Sequence, residues 1–278
     1  ILAICGEKLN KDETRDFLRI TRLSGIESFA TLLYLDSASD TASVQKELSV
    51  LKEQTGFVAP APVVLSTNIL KSKAADETLC EKLFRAIDET IKLHHDVDSS
   101  TMFFPIEDIF SIRDVGTIVT GRVERGSVRK GDTLEILGGA SSRKAKVVGI
   151  EMFRRVLDVA RAGDNVGINL GHIEASTLSP GMVLATPGVI KCHSKAAAEL
   201  FIFDSVSSDM RKQLFKGEAD CLIRKKEYGA KLEFASNIDE SQPQHKVQLH
   251  LSPPAVVEEG TLCLLSSKGK LLALAAIR

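Results

Sequence analysis

Three groups of side chains have the types that chemistry uses. His94, His95 and Asp96 stand in a row; Cys5, Cys80, Cys192, Cys221 and Cys263 are scattered through the chain; and His193, His245 and His250 fall in its last third. Imidazole and carboxylate can ligate a metal, and a thiol or hydroxyl beside an imidazole can attack a carbonyl. The spacing supports neither. Neighbouring positions at a helix end project about 100° apart and rarely chelate together, so His94-His95-Asp96 reads as a solvated helix terminus with cationic imidazole facing the dipole. The cysteines are odd in number and never form CxxC, which reads as reduced core thiols without a disulfide framework or zinc site. The later histidines have no nucleophile arranged beside them. A glycine loop of the form GxxxxGK[ST], whose backbone N–H groups would cradle phosphates, does not occur. The expectation is therefore no catalytic, cofactor-binding or metal-ligating residue in this chain.

The elements that must position any site fall into two styles. Over residues 1–98, apolar runs alternate with helical patterns, an α/β signature. ILAIC, FATLLYL and APVVL read as strands. Between them, Asp12–Ser24 would present Phe17, Ile20 and Leu23 on one helical face, and a helix from Asp40 or Thr41 would present Val44, Leu48 and Leu51. A third helix after Asp76 would carry Leu79, Leu83, Ile87 and Ile91. Past Thr101 the period changes to two, with glycines and charged turns, which predicts antiparallel barrels. The chain has 278 residues, 44% hydrophobic and 26% charged, with 36 Lys and Arg against 37 Asp and Glu. That balance leaves any polyanion contact to a local patch. No apolar run reaches the roughly 20 residues a membrane helix needs. The opening Ile-Leu-Ala-Ile-Cys has no Met and no basic targeting region, so the chain reads as starting inside a strand, with the natural beginning cut or absent.

FFPIEDIFSIRDVGTIVTGRVERGSVRKGD at 103–132, then GIEMFRR, RAGDNVGINL and LSPGMVLATPGVIKCHSK, resembles elongation factor Tu of the bacterial and organellar type. The resemblance implies an α/β plus all-β fold: the last part of a P-loop GTPase-like parallel domain at 1–98, a domain II-like barrel at 99–188 and a domain III-like barrel at 189–278. Within the first barrel, Gly116, Gly121 and Gly126 would serve tight connections or close backbone approach, with Ile106, Ile109, Ile118 and Val123 filling the interior. Gly163 and Gly167 suit turns or close approach, and Met152 and Phe153 read as packing residues. Such barrels face the small ribosomal subunit, which implies RNA contact for Arg122, Arg125, Arg129 and Lys130; the same cations also read as a solvated edge interleaved with Glu124 and Asp132. Glu107 and Asp108 occupy positions that border the family's aminoacyl pocket and also help close the barrel.

The departures matter as much. Guanine recognition in the family needs Asn-Lys-x-Asp after a strand, and here FATLLYL runs into Asp36-Ser37-Ala38-Ser39. The second base loop aligns with Ser66-Thr67-Asn68, a partial match. The family's phosphate loop and Asp-x-x-Gly would lie before residue 1. The transfer-RNA segment of the third domain has become Asp209-Met210-Arg211-Lys212-Gln213-Leu214-Phe215-Lys216-Gly217, and a second has become Ser266-Ser267-Lys268-Gly269-Lys270. Without the phosphate elements the chain lacks what phosphoryl transfer requires. The reading is a degenerate homologue, a pseudo-GTPase serving as a structural component or assembly partner of a mitochondrial ribosome. Its expected partners are ribosomal RNA and ribosomal proteins, with no membrane or DNA. The alternatives are an active GTPase delivering aminoacyl-tRNA, which would use GTP and Mg with its phosphate-binding part missing from this chain, and a soluble chaperone or regulatory adaptor; the alternative setting is a plastid or a bacterial cytoplasm.

Overall fold

A computed structural model describes residues 2–5, 11–23, 31–35, 41–54, 63–66, 81, 84–85, 88, 101–139, 141–234 and 239–278. The helix expected after Asp76 lies largely outside these residues, apart from helical Glu81, Phe84, Arg85 and Asp88. His94-His95-Asp96, the Asp36–Ser39 run and Thr67-Asn68 also lie outside them. The chain divides into two compact units, residues 1–94 with 203–205, and residues 95–202 with 206–278.

The first unit holds a parallel sheet of order β1-β2-β3, formed by Leu2–Cys5, Thr31–Leu35 and Val63–Ser66. Helices α1, Lys11–Leu23, and α2, Thr41–Gln54, fill the two crossovers, as parallel pairing requires. In α2 the i, i+4, i+7 set Val44, Leu48 and Leu51 is buried as its spacing predicts. Helix α1 differs from expectation. Phe17 is exposed, and Leu18, Asp16 and Thr21 are buried instead. The cause is polar: the Asp16 carboxylate accepts the N–H groups of Asp204 and Ser205 at 2.8 and 3.1 Å and the Ser205 hydroxyl at 2.9 Å. Arg15 and Arg19 each donate to Asp204 at 2.9 Å, and a hydrophobic period cannot foresee a face fixed by such bonds.

The second unit is β throughout except for short helices. Its first module runs β4 Phe103–Pro105, β5 Asp108–Ile112, β6 Gly116–Arg122, β7 Ser127–Arg129, β8 Thr133–Leu137, β9 Arg143–Lys146, β10 Gly149–Met152, β11 Arg155–Leu157, β12 Val159–Arg161, β13 Asn165–Asn169 and β14 Val183–Ala185. A single closed barrel was the expectation. The strands instead form three antiparallel sheets, β11-β10-β13-β6-β5, β12-β7 and β4-β14-β8-β9, around one core. Lone backbone bonds link strand ends of different sheets, such as Gly131 N–H to Val147 C=O and Val148 N–H to Asn169 C=O, so the ladder breaks while the core stays continuous. Phe104, Ile106, Val119, Val123, Ile150 and Ile168 fill that core, with Ile109 and Met152 packed at its margin. Gly121 is obligatory here: a Cβ would stand 2.2 Å from the Pro105 carbonyl oxygen.

The second module, Cys192 to Ile277, is a closed barrel of order β15-β18-β17-β16-β19-β20. Its strands are Cys192–Ile202, Glu218–Ile223, Lys226–Phe234, Gln244–Val256, Leu262–Ser267 and Lys270–Ile277, labelled β15 to β20, with helix α3 at Ser208–Leu214. Period-two burial in β17 and β18 drives Leu232, Leu249 and Leu251 inward against Leu200 and Leu265. Cys221 and Cys263 are buried in the same core.

An apolar groove on the first β-module and the junction beside it

The outer face of the five-stranded sheet carries a groove of about 410 Å³. Alternation along β5 turns Asp108, Phe110 and Ile112 to one side, while the register sets Asp108 opposite Thr120 and Phe110 opposite Ile118. Val119 therefore points to the core, and Ile118, expected inside, lines the groove instead. Ile118 and Val119 are adjacent apolar residues in β6, so composition alone does not say which of the two is interior.

The far wall comes from the β10–β11 hairpin. Met152 pairs with Arg155, so Phe153 and Arg154 form a two-residue turn with φ of 49° and 64°. That conformation normally selects Asn or Gly. Phe153 does not pack inside the barrel: it is 88% exposed, and beside it Val156 is 78% exposed. Between the walls, Gly167 faces Thr120 and Glu151 across β13 without a side chain, and a Cβ there would meet Ile118 Cγ2 at 3.3 Å. The groove floor thus depends on a glycine. Asn169 ties the rim, donating to the Val115 carbonyl at 3.2 Å and accepting the Gly171 N–H at 2.8 Å. Glu107 and Asp108 are exposed; the Glu107 N–H bonds the Thr120 carbonyl at 2.8 Å.

The four cations singled out for RNA contact do not form one cluster. Arg122 ends β6 opposite Asn165, and Arg129 and Lys130 are exposed at the end of β7. Arg125 is engaged within the unit: its guanidinium donates to both Glu258 oxygens, at 3.0 and 2.8 Å, and lies 4.8 Å from the Phe103 ring centre. Arg224 approaches the same ring at 5.0 Å and donates to the Val256 carbonyl at 2.8 Å. Burial pulls the Arg224 pKa down, with Glu124 and Glu258 opposing. Around Phe103 pack Leu137, Val183, Ala185, Ile190 and Val256, so this ring is the centre of the junction between the two β-modules. Lys226 donates to the Gly138 carbonyl at its edge.

Residues 116–185 match the family of elongation factor Tu domain 2. The matched stretch runs from the first residue of β6 to the last of β14, and it is translation-factor-like. It supplies the β6, β10, β11 and β13 walls of the groove and the Leu137, Val183 and Ala185 part of the junction. Among the described residues no three of His, Cys, Asp and Glu converge as a metal site, and no helix is long and apolar enough to cross a membrane. What the elongation factor Tu domain 2-like module offers chemically is apolar contact area with Asp108 on the same face of β5, a surface for holding a ligand.

Proposed function

We propose that this translation-factor-like chain works by binding, as a non-catalytic component or assembly partner of a mitochondrial ribosome. The observation that carries the reading is an asymmetry: the domain 2-like stretch keeps a filled core and a formed surface groove, whereas FATLLYL leads into Asp36-Ser37-Ala38-Ser39 in place of a guanine-reading Asn-Lys-x-Asp. A retained docking shape beside a rewritten base loop fits a protein that holds partners and does not turn over GTP. Mitochondria inherit the bacterial-type factor, which is the ground for that setting. The test is a fluorescent GTP-binding titration of the natural chain together with sedimentation of the native protein through a sucrose gradient. No nucleotide binding and migration with ribosomal particles is the expected pair of results. Binding at micromolar concentration or tighter overturns the pseudo-GTPase reading, and migration with free proteins favours a soluble adaptor.

The groove favours one second reading. A cleft walled by Phe110, Ile118 and Phe153, with Asp108 opposite Thr120 at its end, suits the aminoacyl end of a charged transfer RNA. Protection of aminoacyl-tRNA from hydrolysis by the full chain would carry that reading over the first.

A further inference from the structure

The four-stranded sheet ends in β9, which among the described residues pairs only with β8. Ala145 is buried, and Arg143, Lys144 and Lys146 are exposed. Lys144 and Lys146 share the solvent face about 6.7 Å apart along the strand. The next cations along this surface come from a different part of the chain. Gly131 and Asp132 bond the backbone of Val147 at 2.8 Å each, which brings Arg129 and Lys130 alongside the end of β9. Arg143, exposed at the start of the strand on its other face, completes a set of five cations gathered along this edge. Two nearby carboxylates accept backbone N–H groups: Asp132 accepts the Arg129 N–H at 2.7 Å, and Glu135, opposite Lys144, accepts the Gly188 N–H at 2.8 Å; a third, Asp158, is exposed where its carbonyl accepts the Lys130 N–H at 3.1 Å. Among the described residues none of the five cations forms an ion pair.

Charged side chains on an edge strand commonly serve to block strand-to-strand pairing. That role accounts for Lys144 and Lys146 but not for Arg129 and Lys130, which lie off the edge. A protein partner would call for buried aromatic anchors, and no aromatic residue occurs from Ser127 to Lys146. A phosphate backbone calls only for cations presented along a line. We propose that Arg129, Lys130, Arg143, Lys144 and Lys146 form an RNA-backbone docking ridge that reads phosphate charge and not sequence. The inference deepens the ribosomal reading and rests on it. It moves the RNA-facing surface away from Arg125, which the junction engages, and onto β9.

The test is fluorescence anisotropy of a fluorescein-labelled single-stranded 20-nucleotide oligouridine against the full chain, titrated over a range of salt. Lys144→Gln/Lys146→Gln should weaken binding about tenfold at 0.1 M salt and flatten the log–log salt slope by about 1.4. Lys195→Gln/Lys246→Gln, exposed on β15 and β18 of the second module, should change neither. Circular dichroism checks that each exposed substitution leaves the fold intact. An unchanged slope in the β9 variant, no binding by the wild type, or equal ridge-dependent binding of labelled polyglutamate each overturns the proposal. Sucrose gradients separate its failure from that of the wider reading. If the wild type and the β9 variant comigrate equally with ribosomal particles, the ridge fails and the ribosomal role stands. If oligouridine binding depends on the ridge and the protein still migrates free, the ridge stands and the ribosomal role fails.

Discussion

Replacing Phe103 with Ala should separate the behaviour of the two β-modules. The ring is 1% exposed, and its neighbours come from both modules: Leu137, Val183 and Ala185 from the first, Val256 from the second. Truncating a buried Phe to Ala costs about 3–5 kcal/mol through lost transfer energy and residual cavity. Two guanidiniums at 4.8 and 5.0 Å add about 0.5–1 kcal/mol each. The sum is about 4–7 kcal/mol, borne at the junction. The Phe103 backbone bonds with Glu124 and Arg125 survive the substitution, so β4 itself stays paired. Hydrogen exchange read by mass spectrometry is the suitable assay, because a chain of two units need not unfold in one step. Peptides covering Val183–Ala185 and the end of β18 should exchange at least about a hundredfold faster, the low end of that range with partial relaxation allowed. Phe103→Leu keeps most of the apolar volume and loses only the ring contacts, so its effect should be about tenfold. A change below tenfold for Ala, or identical behaviour of Ala and Leu, would refute the assignment of the junction to this ring.

Phe153→Asn places a residue that tolerates positive φ where Phe is held at 49°, so the hairpin should gain up to about 1 kcal/mol in thermal unfolding while fluorescence of an apolar dye in the groove falls. Lys52 is buried and its pKa is lowered from 10.5 to about 8 by desolvation. Between those values the unfolded chain holds more protons, so stability should rise with pH from about 8 to 10.5 by on the order of 3 kcal/mol, and exchange of α2 peptides in Lys52→Met should lose that rise. The hydrogen bond with Cys263 and burial push the Cys221 thiol up, and both thiols lie in the core, so both should resist a thiol reagent at neutral pH until the barrel opens, with half-buried Cys192 labelled ahead of them as mass spectrometry of each site would report.

Residues whose environment depends on nearby sequence were legible, and those fixed by distant partners were not. Val44, Leu48 and Leu51 bury as spaced, because a helix face is set within two turns of chain. Gly116 and Gly126 take φ of 114° and 67°, and Gly121 meets Pro105, because turns and close approaches leave glycine as their local mark. Phe17 and Ile118 were misplaced for one shared reason. Each neighbours a residue that competes for the interior, Leu18 and Val119, and the winner is chosen by elements far away in sequence, the Asp204-Ser205 backbone for α1 and the β5 and β13 registers for β6. An aromatic residue in an apolar run normally packs, and the pairing of Met152 with Arg155 is what lifts Phe153 out.

The same logic applies to charge. Arg125 and Arg129 sit four residues apart with identical side chains, and sequence gives no ground to treat them differently. Glu258, 133 residues later, accepts from Arg125 with both oxygens, while Arg129 stays exposed. A basic residue is available to an anionic partner only after the chain's own carboxylates have been assigned, and those assignments are tertiary. Candidate contacts in a module with nearly balanced charge should therefore be ranked by what each cation already touches, a criterion that selects the β9 ridge over Arg125.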